Sequence, residues 1–127
     1  MIKEKISAMS DEHQNSLKSL AFYKEELKSI RTRLTDMAGK NTAREFGSNV
    51  EHFENQISVQ LENIDTLHHN INDNLSKIAD QLKHNTAGYV DGELIENQKK
   101  QNDTFAGIEK VVNELRQEFN KFASAHL

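Results

Sequence analysis

The chain has 127 residues, with no cysteine, proline or tryptophan, five glycines, and 20 acidic against 16 basic side chains for a net charge of −4. That length supports one core, and the missing cysteines exclude a disulfide framework, a thiolate metal site and a cysteine nucleophile. The acidic balance argues against nucleic acid as a partner, because phosphate binding needs a concentrated basic face.

With 35% hydrophobic and 28% charged residues, the chain is too polar for a membrane protein. The periodic placement of its apolar residues argues against disorder. The opening MIKEKISAMSDEHQ carries charges where a signal peptide needs a continuous apolar stretch. No run approaches the ~18 apolar residues of a membrane span. A cytoplasmic protein is therefore expected.

The first predicted helix, over about residues 2–38, places Ile2, Ile6, Met9, His13, Ser16, Leu20, Tyr23, Leu27, Ile30, Leu34 and Met37 at alternating spacings of four and three. Such spacing is a coiled-coil seam, interrupted here by His13 and Ser16. This segment is slightly basic, whereas the other two are acidic. The break AGKNTAREFGSN follows, with Gly39, Gly47 and two capping boxes, Thr42 with Glu45 and Ser48 with Glu51, either of which can start the next helix.

The second helix, about 43–85, reads as Phe46, Val50, Phe53, Ile57, Leu61, Ile64, His68, Ile71, Leu75, Ile78 and Leu82, with one extra step of four after Phe53. His68 is its polar interruption. The break HNTAGYVDGE offers Gly88 as a helix stop and Asp91 as the next N-cap. The third helix, about 91–125, carries Leu94, then polar Gln98 and Gln101 or Asn102, then Phe105, Ile108, Val112, Leu115, Phe119 and Phe122. Phe22, Val59, Leu67 and Val111 fall off these stripes and are expected to widen the apolar faces. Alternatively, they form a second strip that pairs two copies of the chain as a homodimer or receives a partner helix.

Short breaks make successive helices antiparallel, so residues 1–127 are expected to form a single all-α domain, an antiparallel up-down-up bundle of three long helices, about 55 to 60 Å long. Folding near residues 42 and 88 sets His13 opposite residues near 71 and 105. Ile2 and Ile6 then meet Ile78, Leu82 and Leu94, while Leu27 and Ile30 meet Phe53, Ile57, Phe119 and Phe122. His13, Ser16, His68, Asn74 and Asn102 gather between the two apolar ends.

This polar layer has three readings. In the first, His13 and His68 are buried and satisfied by neighbouring polar groups, and they fix helix register. In the second, His13, His68, His69 and Asp65, with Glu12 and Glu109 in reach, bind a divalent metal. The templates for bundle metal sites are poorly met. Ferritin-like di-iron sites use inward glutamates with two Glu-x-x-His pairs, against one Asp-x-x-His here, Asp65 with His68, and His-x-x-x-His or His-x-x-x-Glu spacing is missing. In the third, His69 is simply solvated. No phosphate loop, Gly-x-Ser-x-Gly elbow or His-Glu-x-x-His motif occurs.

The stretches FYKEELKSIRTRL, VEHFENQ and NIDTLHHNI resemble those of small helical proteins from Bacteroidetes-type bacteria over the first two helices. That resemblance implies a bacterial source, carries no activity, and makes His13, Phe22, Tyr23, His52 and His69 worth testing. Length and topology are also similar to spectrin-type repeats, without their tryptophan. The expected function is non-enzymatic protein interaction or scaffolding with a protein partner and no cofactor. The alternatives are a metal-binding or sensing bundle, and a pH-responsive interaction module.

Overall fold

A computed structural model describes residues 2–40, 44–84 and 92–126, and the side chains of these except residues 2–4 and 45. Three helices, α1 (Ile2–Lys40), α2 (Arg44–His84) and α3 (Gly92–Ala125), all pack on one another. The protein is an all-α three-helix bundle. At 39, 41 and 34 residues, the helices are about 50 to 60 Å long.

Each helix keeps one unbroken alternation of four and three. In α1 the seam through buried and half-buried positions is 6, 9, 13, 16, 20, 23, 27, 30, 34 and 37, as the sequence predicts. In α2 the seam is 46, 50, 53, 57, 60, 64, 67, 71, 74, 78 and 81, which corrects the predicted stripe. The row Ile57, Ile64, Ile71 and Ile78 is common to both readings, and its companion row is Gln60, Leu67 and Asn74 rather than Leu61, His68 and Leu75. Phe46 and Phe53 set that phase, and a seam continuing it needs no stutter. Leu61 and Leu75 flank the seam half-buried, while Leu82, expected against Ile6, is 49% exposed.

The helices start and stop within two residues of the predicted bounds, the usual ambiguity of helix ends. Gly39 and Gly47 are both helical. Ser48 is not a cap: it lies inside α2, and its hydroxyl donates to the Arg44 carbonyl at 3.3 Å. Thr42, Gly88 and Asp91 lie outside the described residues.

The apolar core falls into two clusters. The larger runs from Leu20 to Leu34 on α1, Phe53 to Ile71 on α2 and Ile108 to Ala123 on α3. The smaller consists of Ile6, Met9, Ile78 and Leu94, with Ile95 against it. The large cluster ends in tilted and edge-on rings, with Phe122 5.1 Å from Phe46 and 5.3 Å from Phe53, and Phe119 5.9 Å from Phe53. The Arg33 guanidinium covers Phe119 at 4.7 Å. Of the off-stripe residues, Leu67 is core and Val111 half-buried, but Phe22 and Val59 stay 57% and 51% exposed.

Candidate functional site

Between the two clusters lies a layer of polar side chains from all three helices. His13 of α1 is fully buried, and its Nε2 accepts from the Asn74 carboxamide of α2 at 3.0 Å. On α3, the Gln98 amide donates to the Met9 carbonyl at 3.3 Å and to Glu12 Oε1 at 3.0 Å, and Asn102 donates to the same carboxylate oxygen. Ser16 is buried in the layer too. Asn74 faces His13 three residues from the predicted level, within one helical turn.

The layer is incompletely paired. His13 Nδ1, Asn74 Oδ1, Gln98 Oε1 and Gln101 Oε1 are buried without a hydrogen-bond partner. Each such group costs about 1–3 kcal/mol against a satisfied one. Burial holds the His13 pKa below its usual 6.5, against the opposing pull of Glu12. The ring is therefore neutral, with its proton on Nδ1 when Nε2 accepts. The amides of Gln98 and Asn102 pull Glu12 below the ordinary carboxylate range.

The other residues predicted to join His13 are elsewhere. His68 is exposed, with its Nδ1 3.3 Å from the Asn72 amide one turn on. The burial expected of it belongs to Leu67, which is 2% exposed. His69 is exposed as well. Asp65 accepts from Lys24 at 2.9 Å, and that lysine holds its carboxyl below the usual range. Among the described residues, no group of three or more His, Asp or Glu side chains is placed to hold a metal ion. Expected near the layer, Glu109 instead accepts from the Tyr23 hydroxyl at 2.6 Å. Burial first, and then this bond, push the Tyr23 pKa up to about 12. His52 is exposed, its ring 5.8 Å from Phe53.

A second feature is legible only from the structure. The α2–α3 seam opens into a groove of about 710 Å³ walled by Gln60, Asn63, Asn70, Asn74, Asn97 and Gln101. In paired helices the positions flanking a seam usually hold charged residues that bridge the interface. Here Lys24–Asp65, Arg31–Glu54 and Arg116–Glu26 bridge helices, and each has a partner on α1. The α2–α3 rim instead carries Asn63, Thr66, Asn70, Asn97 and Thr104, with only Asp73 and Lys100 charged along the lining. The signal in the sequence is the recurrence of Asn63 and Asn70, seven residues apart on one face. No helix of the described residues is long and apolar enough to cross a membrane. No family model matches the chain, and neither a curated protein nor a solved structure does.

Proposed function

We propose that the chain is a non-enzymatic interaction module that presents helix faces to a protein partner. The α2–α3 groove carries this reading: it is an open channel rimmed by neutral hydrogen-bonding side chains. Several of the chain's acids and bases are engaged elsewhere, Glu12 by Gln98 and Asn102, Asp65 by Lys24, and Arg116 by Glu26. Exposed Phe22 and Val59 add large apolar side chains outside the core. The groove lining holds no histidine, cysteine or close carboxylate pair, which would support catalysis instead.

The test is site-specific photocrosslinking in cells that produce the protein, with the photoreactive residue at Asn63, Thr104, Phe22 or Val59. A defined crosslinked partner at one face is the expected result. Crosslinks at none of the four positions would sink the reading. A pH-responsive version of the same module is favoured by one observation, the buried neutral His13 between the two apolar clusters.

A further inference from the structure

We infer that the groove between α2 and α3 takes an extended, uncharged polypeptide segment and holds it by its backbone; this rests on the interaction reading above and names its partner's chemistry. A carboxamide offers an N–H donor and a C=O acceptor in one group. A peptide in extended conformation offers the same pair at every residue, whereas a helix has satisfied its own backbone groups and has none to spare away from its ends. A row of asparagines and glutamines therefore selects an extended chain over a fourth helix.

The apolar floor points the same way. Leu67 and Ile108, which line the groove, are 2% and 4% exposed, and Val111 beside them is half-buried, so the floor gives shallow apolar contact to an extended chain rather than deep pockets for the anchors of an amphipathic helix. The lining also lacks aromatic rings, on which nucleobases and sugars characteristically stack.

Dimensions and charge narrow the partner further. The lining runs from Gln60 to Asn74 on α2 and from Asn97 to Val111 on α3, about 21 Å of helix. About six extended residues at ~3.3 Å each span that length. Asn63 and Asn70 are two turns apart, about 10.5 Å, close to three extended residues. Asp73 is paired with Lys77 at 3.3 Å, and Lys100 is a single further charge among the lining residues, too little to attract a strongly acidic or basic peptide. Gln60, Asn74 and Gln101 each carry a buried carboxamide oxygen without a partner. Turning the Gln60 amide toward the groove would pair it with a peptide N–H, while Asn74 and Gln101 stay on His13 and the Asn70 carbonyl. At Gly107, which lines the wall, an added Cβ meets nothing within 4 Å, so this part of the channel is open.

The test starts from a phage-displayed library of random uncharged decapeptides selected on the full chain, and measures a synthetic winner by fluorescence anisotropy and ¹⁵N-edited NMR. The expected result is that the peptide shifts the side-chain amides of Asn63, Asn70 and Asn97. N-methylation of alternate peptide amides should weaken it at least tenfold, as should the Asn70→Ala, Asn97→Ala double variant. The Asn70 carbonyl that accepts from Gln101 at 3.3 Å is main-chain and survives that change. Gly107→Arg, which fills the channel without disturbing the core, is the second variant and should weaken binding equally with a melting temperature no lower than that of the native chain.

A methylated peptide that binds as tightly would overturn backbone recognition. Peptide shifts confined to the Phe22 or Val59 faces, or a second copy of the chain seated in the groove, would overturn the groove assignment and leave the interaction reading standing. No selected peptide would overturn this proposal alone, and only silence of the photocrosslinking as well would remove both.

Discussion

His13 and Asn74 face each other across the α1–α2 interface at 3.0 Å, His13 one seam position from Met9 of the smaller cluster and Asn74 between Ile71 of the larger and Ile78 of the smaller. Both are buried, and each has a second polar atom without a partner. The pair thus marks the place where a continuous core is exchanged for a polar layer. Polar groups at seam positions lower stability but penalise other registers, since a shifted helix sets them against leucine or isoleucine.

That role predicts a particular mutant cycle. Asn74→Leu alone leaves the His13 ring wholly unpaired and should cost about 1–3 kcal/mol. The double change His13→Leu, Asn74→Leu removes both partners and should recover most of the loss or exceed wild-type stability. Urea unfolding of the four proteins measures the coupling, and sedimentation equilibrium reads the association state. The double variant is expected to populate dimers or other associations that the wild type does not. Additive single losses would remove the pairing argument.

Acid should act on the same residue. The His13 pKa is lowered in the folded chain, so the unfolded chain takes up a proton first as pH falls. Stability is complete above the unfolded value of about 6.5 and is lost below it, at up to about 1.4 kcal/mol per pH unit, until the folded value is reached. The other described histidines, His52, His68, His69, His84 and His126, are exposed. His13→Gln should therefore flatten the profile between pH 7 and 5. Glu12, whose pKa is also lowered, contributes stability above about 4.5 that goes in a separate, more acidic step. Unfolding midpoints across pH 4–8 for the two proteins distinguish these steps.

The fold was legible because heptad spacing survives in all three helices, and the position of His13 followed from it directly. The second seam was misread for a physical reason. Rows through Leu61 and Leu75 or through Gln60 and Leu67 both alternate by four and three with the isoleucine row, and hydrophobicity favours the former. Only continuity with Phe46 and Phe53 decides between them, and that is a property of the whole packed helix. The groove was less legible still, since neutral amides on a solvent-facing flank carry no signal until α3 is set beside them.

A simple pair of substitutions checks the corrected seam. Leu67→Ala removes a side chain that is 2% exposed and should destabilise by about 2–5 kcal/mol. His68→Ala, next to it in sequence, changes an exposed ring and should stay within about 0.5 kcal/mol. Denaturant midpoints for the two variants answer the question, and a larger loss at His68 would restore the rejected seam.

Tyr23 and Glu109 join α1 to α3 through a bond of 2.6 Å, next to the Arg116–Glu26 ion pair at 3.0 Å. The phenol is held neutral well above its ordinary range, to about 12. Because the folded value is raised, the unfolded chain loses this proton first as pH rises. The resulting stability is full below the unfolded value of about 10 and is lost between there and about 12. In a Tyr89→Phe background, ultraviolet titration reports Tyr23 alone and should give a midpoint well above 10. Adding Glu109→Gln keeps a hydrogen-bond acceptor and removes the charge, so the midpoint should fall, though not to 10, because burial makes the largest contribution to the shift. Tyr23→Phe leaves the carboxylate without its donor and should cost about 1.5–3 kcal/mol at neutral pH, the range for hydrogen bonds to charged groups. A midpoint already near 10 in the otherwise native chain would mean that the α1–α3 bond does not persist in solution.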